Sequence, residues 1–110
     1  MSHFIVIEGI DGAGTTTQTQ RLVSWLESRN LSVFNTREPT DGIIGSMIRR
    51  ILAGEPDLPV MDTLPWLFAA DRADHIFGKV IPHLASGTWV VSDRYYHSSL
   101  AYQSLHQPLL

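Results

Sequence analysis

The residues of this 110-residue chain best placed to do chemistry lie near its start. Gly9-Ile10-Asp11-Gly12-Ala13-Gly14-Thr15-Thr16 has the spacing of the phosphate-binding pattern G-x-x-x-x-G-K-[ST], with Thr15 standing where the pattern has lysine. Glycines let successive backbone N–H groups turn inward around an anion, and a helix starting at the end of the loop adds its positive N-terminus. Thr16 can offer a hydroxyl to Mg2+. That cradle survives without lysine, but the ammonium that reaches the β- and γ-phosphates is lost. The single lysine, Lys79, lies on a distant segment and every other cation is an arginine, so arginine is expected to supply the charge. A glycine-rich turn that serves only close packing is the competing reading. The strand before the loop, the helix after it and the hydroxyl triplet Thr15-Thr16-Thr17 favour phosphate.

Three strands and the helices between them must position this loop. Phe4-Ile5-Val6-Ile7 is a continuous apolar run rich in β-branched residues, and Thr16 to Arg29 carries Leu22, Val23 and Leu26 at helical spacing. Leu31 to Asn35 predicts a second strand, with polar Thr36-Arg37-Glu38-Pro39 emerging from its carboxyl end. From Gly42 to Leu52, the residues Ile43, Ile44, Met47, Ile48, Ile51 and Leu52 paint one helical face. Asp62 or Thr63 can cap a third helix with Pro65 in its first turn, running at least to His75 or Phe77. Helix is expected again around Pro82, with Gly87 as its C-cap, then a strand over Thr88 to Ser92 and a further helix from Tyr95 to Leu105. Strands separated by helices predict a parallel sheet, in which ligands bind outside the carboxyl ends of the strands. Those ends carry Glu8-Gly9, Arg37-Glu38 and Asp93-Arg94. Any one pair can be explained by capping or solvation, but their convergence favours a site.

Composition removes several alternatives. A net charge of −3 with 44% hydrophobic and 17% charged residues describes one soluble globular domain or part of one, and the mild acidity gives no broad attraction for nucleic acid. The absence of cysteine excludes disulfides, thiolate metal sites and a cysteine nucleophile. No apolar run approaches the ~20 residues of a membrane span, and Met1-Ser2-His3-Phe4 does not open a signal peptide. A cytoplasmic protein without a membrane or nucleic-acid partner is expected. His75, His83, His97 and His106 lack metal-ligand spacing and are read as structural, and Trp25, Trp66 and Trp89 as core or helix-interface residues.

With these residues in hand, the chain resembles the thymidylate kinases, P-loop nucleoside monophosphate kinases that transfer the γ-phosphoryl of ATP to dTMP. The likeness is carried by Ile7-Glu8-Gly9-Ile10-Asp11-Gly12-Ala13-Gly14 with Thr16-Thr17-Gln18, and by Thr36-Arg37-Glu38-Pro39. It continues through Phe68-Ala69-Ala70-Asp71-Arg72-Ala73, Asp93-Arg94-Tyr95 and Ser98-Ser99-Leu100-Ala101-Tyr102-Gln103, in the family's order and spacing. It implies an α/β P-loop nucleoside monophosphate kinase fold with a parallel sheet. The family's chains are roughly twice as long, within the usual ~100–200 residues of a domain. Residues 1–110 are therefore expected to be a single partial domain, the N-terminal half, without the arginine-bearing lid and much of the adenine pocket. Gly12 matches members whose catalytic arginines come from that lid.

The resemblance also implies roles. Gly9, Asp11, Gly12, Ala13, Gly14, Thr15, Thr16 and Thr17 would form the ATP loop, and Mg2+ would meet Thr16 and Asp93. Arg94 would grip the acceptor 5′-phosphate with Arg37 beside it, a planar fork suiting bidentate recognition. Arg94, Asp93 and Arg37 thus form the expected catalytic set. Asp93 has an alternative role in orienting Arg94, and Arg37 in pairing with Glu38. Phe68 would stack on thymine and Arg72 contact the base side, one turn apart on a helix. Their bland alternative is a core phenylalanine and an arginine paired with Asp71 or Asp74. Asp11 would meet the sugar 3′-hydroxyl or Mg2+. Tyr95, Ser99 and Tyr102 fall at i, i+4 and i+7, so Tyr102 could screen the 2′ position while Ser98 or Ser99 bonds the pyrimidine edge, unless the stripe is ordinary packing. A homodimer is implied through the apolar faces of the helices at Gly42 to Leu52 and Thr63 to Phe77.

Overall fold

The computed structural model describes residues 2–10 and 14–96. In chain order these are β1 (Phe4–Ile10), α1 (Thr15–Ser28), β2 (Val33–Glu38), α2 (Ile43–Leu52), a 3-10 turn (Met61–Thr63), α3 (Leu64–His75), a π-helical stretch (Ile76–Val80), α4 (Ile81–Ala85) and β3 (Trp89–Tyr96). The three strands form a parallel sheet in the order β1-β3-β2. Parallel pairing needs crossover connections, and the helices supply them.

Val90 and Val91 of the central strand are fully buried, α1 brings Leu26 against the sheet side of the core, and Val80 is buried as well. A second cluster joins α2 to α3 through Ile48, Ile51 and Leu64, with Ile44, Met47, Leu52, Leu67 and Phe68 packed around it. The expected apolar face of α2 therefore points inward except for Ile43, which stays 87% exposed.

Strands β2 and β3 are longer than their apolar runs. Thr36, Arg37 and Glu38 belong to β2 instead of emerging from it, and β3 continues through Asp93 and Arg94 to Tyr96. The expected helix from Tyr95 therefore does not begin there, and its remainder lies outside the described residues. The reason is pairing: β3 lies between two strands, so its backbone groups find partners on both sides as far as Tyr96 on β1 and Arg94 on β2. At the start of α3, Pro65 occupies the first turn, but neither Asp62 nor Thr63 makes a side-chain cap, and the 3-10 turn leads the chain in. Gly78 does not break the helix that follows. The π-helical turn carries it through to Pro82 in the first turn of α4, where a missing N–H is tolerated.

Two glycines are required by geometry. Gly14, immediately before α1, has φ +79°, which an L side chain adopts only with strain. Gly45 packs so closely on the loop after β2 that a Cβ there would sit 2.0 Å from the Thr40 carbonyl oxygen.

Candidate active site

Register and alternation build the site. At the carboxyl edge of the sheet one row across the strands is Ile7, Asp93, Arg37 and the next is Glu8, Arg94, Glu38. Successive side chains point to opposite faces. Asp93 and Arg37 therefore go to the face covered by α1, while Arg94 and Glu38 go to the face covered by α3.

On the α1 face the hydroxyl triplet divides into three environments. Thr15 is buried, and its carbonyl accepts the Thr19 hydroxyl at 2.7 Å. Thr16 donates its hydroxyl to Asp93 Oδ2 at 2.9 Å, and Thr17 faces solvent. Asp93 is itself buried, and its Oδ1 has no hydrogen-bond partner among the described residues. A buried carboxylate oxygen beside a hydroxyl at a helix start is a hard-oxygen donor pair of the kind Mg2+ accepts, with phosphate and water completing its shell. These residues open onto a pocket of about 340 Å³ that Arg37, Asp41 and Gln20 also line. Arg37 pairs with exposed Asp41 at 2.6 Å, and this guanidinium holds the Asp41 carboxyl below its ordinary value.

On the α3 face the centre is Glu38, 2% exposed. Its Oε1 accepts Arg72 Nε at 3.0 Å and lies 3.0 Å from Arg94 Nε. The latter N–H is not aimed at the oxygen, so that contact is an ion pair without a hydrogen bond. Arg94 also donates to Glu8 Oε1 at 3.1 Å. Glu38 Oε2 is 2.7 Å from His75 Nδ1, and His75 Nε2 is 2.7 Å from Thr36 Oγ1. Burial alone pushes the Glu38 carboxyl up, but the His75 and Arg72 hydrogen bonds and the charges of Arg94 and Arg72 outweigh it and leave the group below its ordinary value. It is an anion at neutral pH. Asp71, 1% exposed, anchors the loop after β2 by accepting Thr40 N–H at 2.8 Å and the Thr40 hydroxyl at 2.6 Å. Arg49 donates to the Thr40 and Pro39 carbonyls from the other side.

The alternative pairings weighed for these residues are replaced by others. Arg37 meets Asp41 and not Glu38, Asp93 takes the Thr16 hydroxyl while Arg94 is held by Glu8 and Glu38, and Arg72 pairs with Glu38 instead of Asp71 or Asp74. Phe68 is half-buried against the α2–α3 cluster, one turn before Arg72. Gly9 lies near the end of β1, and Gly14, Thr16 and Thr17 stand at the start of α1. Asp11, Gly12, Ala13, Ser98, Ser99 and Tyr102 lie outside the described residues, as do His97 and His106.

A family model described as thymidylate kinase matches residues 7–110. The chain belongs to the thymidylate kinase family. It is 46% identical over 105 residues to a probable thymidylate kinase of Pyrococcus horikoshii, covering 92% of this chain and 51% of that protein. It is likewise 46% identical over 101 residues to the thymidylate kinase of Carboxydothermus hydrogenoformans, covering 91% and 49%. Its fold superposes on the crystal structure of thymidylate kinase from Ehrlichia chaffeensis with a TM-score of 0.74 at 32% identity, covering 98% of this chain and 59% of that one. The chain spans about half the length of the curated relatives it matches. As a thymidylate kinase family member it has the α/β architecture with a parallel sheet that the resemblance implied.

Sequence reasoning missed the central part of Glu38 and the contribution of His75, Asp71 and Thr40. One signal was available: Thr36 and Glu38 share a strand face, and Arg72 and His75 share a helix face three residues apart. Nothing in the sequence says that those two faces meet.

Proposed function

We propose that the protein phosphorylates dTMP to dTDP with Mg-ATP as the donor. Family membership supports the reaction class. The observation that carries the reading further is the division of the sheet edge. One face presents a helix start, a hydroxyl and a buried carboxylate for a metal-bound triphosphate, and the other presents two arginines on one carboxylate.

Phosphoryl transfer asks for alignment of two anions and neutralisation of the charge between them. Backbone N–H groups at the start of α1 face the triphosphate, with Gly9, Asp11, Gly12, Ala13, Gly14, Thr15, Thr16 and Thr17 as the donor loop. Thr16 and Asp93 would hold Mg2+, which when bound neutralises phosphate charge and orients the terminal phosphoryl group. Arg94, anchored by Glu8 and Glu38, presents its remaining donors to the acceptor 5′-phosphate, and Arg37 adds a second cation from the opposite face. Phe68 and Arg72 take the base, Asp11 the sugar hydroxyl, and Ser98, Ser99 and Tyr102 the pyrimidine edge and the 2′ position.

A second reading, a nucleotide-binding module of the same fold without turnover, is favoured by one observation. Thr15 stands where the phosphate-binding pattern has lysine, and it is buried. A homodimer through α2, α3 and the π-helical turn that follows fits the exposure of Ile43, Trp66 and Phe77. A cytoplasmic location fits a family of nucleotide kinases, and no described helix is long and apolar enough to cross a membrane.

Calorimetry of dTMP with the full-length gene product and its Arg94→Ala variant tests the acceptor assignment. Loss of one charge-assisted contact is expected to weaken dTMP binding by roughly tenfold or more while ATP binding is kept. Equal dTMP affinity in the two proteins would remove Arg94 from the acceptor site.

A further inference from the structure

His75 is 3% exposed and has no part in the reaction just described, yet both its ring nitrogens are engaged at 2.7 Å. Because Glu38 is ionised it can only accept, so His75 Nδ1 carries the hydrogen toward Glu38 Oε2. In the neutral ring, Nε2 then accepts the Thr36 hydroxyl. Thr36 and Glu38 are two residues apart on one face of β2, so the imidazole spans the strand edge from α3 and fixes the carboxylate at one end. The other oxygen of that carboxylate holds Arg72 and faces Arg94. Arg72 and His75 lie one turn apart on α3, so helix and strand are tied together at the point where both arginines are aimed.

We propose that His75 is a positioning residue for the acceptor nucleotide: through Glu38 it sets the direction of Arg72 and Arg94 together, while Thr36 fixes the ring. The proposal rests on the acceptor reading above and adds to it the group that orients the acceptor arginines. Without the Nδ1 hydrogen, Glu38 is free to rotate, and the two guanidinium groups lose their common anchor. Among the described residues Thr16 and Asp93 make no hydrogen bond to Glu38, His75 or Thr36, although Thr36 lines their pocket, so the larger effect is expected at the acceptor.

Three variants separate positioning from packing. His75→Asn keeps an N–H near the Nδ1 position, His75→Gln places its amide toward Thr36 and leaves Glu38 Oε2 without a donor, and His75→Leu removes both bonds. In the full-length gene product, Leu and Gln are expected to raise the KM for dTMP by roughly tenfold or more, the size of one charge-assisted hydrogen bond. The KM for ATP is expected to stay within about twofold of wild type, and Asn is expected to recover most of the loss. An unchanged dTMP KM in Leu and Gln, parallel rises for dTMP and ATP, or an Asn variant no better than Leu would each overturn the assignment. If the wild-type protein does not turn dTMP over, the kinase reading fails separately, and the relay is read from nitrogen-15 spectra. An Nδ1–H tautomer of His75 and a slowly exchanging Arg72 Nε–H lost in His75→Gln would support it. An Nε2–H tautomer or an unchanged Arg72 signal would refute it.

Discussion

Glu38→Gln is the substitution that presses hardest on the buried carboxylate. The change keeps the volume and removes the charge, so packing is nearly constant. Glu38 accepts on both oxygens: His75 on Oε2, and Arg72 with the nearby Arg94 on Oε1. Turned toward Arg72 and Arg94, the glutamine NH2 faces groups that only donate, and turned toward His75 it is accepted only if the ring takes the Nε2–H tautomer and donates to Thr36. The Arg94 side chain is 11% exposed and among the described residues keeps only Glu8, while Arg72 is 43% exposed and can turn to water. Breaking a buried pair typically costs ~3–5 kcal/mol; the low end, about 3 kcal/mol at pH 7, applies here because Arg72 is screened. The pH dependence carries the sign. The folded carboxyl lies below its ordinary 4.5, so the stabilisation is complete above pH 4.5 and is lost as pH falls through the folded value. Urea unfolding of wild type and variant should therefore show a gap at pH 7 that narrows below pH 4.5, where wild-type Glu38 takes up its own proton. No gap at pH 7, or one that persists unchanged into acid, would refute the ionised anchor.

Gly45→Ala brings a Cβ to 2.0 Å from the Thr40 carbonyl, and Thr40 is held by Asp71 and Arg49, so it cannot retreat cheaply. A loss of about 3 kcal/mol is expected in urea unfolding, the upper part of the overpacking range, and a change under about 0.5 kcal/mol would show that the loop yields. Asp93→Asn leaves the fold but weakens the oxygen pair with Thr16. Turnover should fall by roughly a hundredfold and need more Mg2+ in a magnesium titration, and an unchanged magnesium dependence would contradict the pairing. Thr15→Lys is expected to change kcat by less than about tenfold in a kinase whose arginines already supply the charge. A change from no turnover to robust turnover in the coupled assay would instead identify a degenerate binding module.

The strand-to-helix junction of β1 and α1 and the three charged strand ends were legible because each rests on local pattern: a β-branched run, a helix of regular period, polar residues closing an apolar stretch. Strand length was not. Thr36 to Glu38 and Asp93 to Tyr96 are polar, and only pairing with β3 and across the Glu8, Arg94, Glu38 row makes them strand. Arg37 and Glu38 looked like a pair because they are neighbours, yet neighbours on a strand point apart, and alternation alone sends them to different faces. Arg72 met the same difficulty on a helix, where Asp71 and Asp74 do not face it and the partner came from β2. His75 read as structural because its partners stand 39 and 37 residues away in the chain. No local pattern carries that contact.

Coupled ADP release by the full-length gene product, with Mg-ATP and a panel of dTMP, dUMP, dCMP and thymidine, tests the central claim most directly. Turnover confined to dTMP, with lesser activity on dUMP, is the predicted result. Absence of turnover while dTMP and ATP still bind would contradict it, as would equal turnover of dCMP or thymidine.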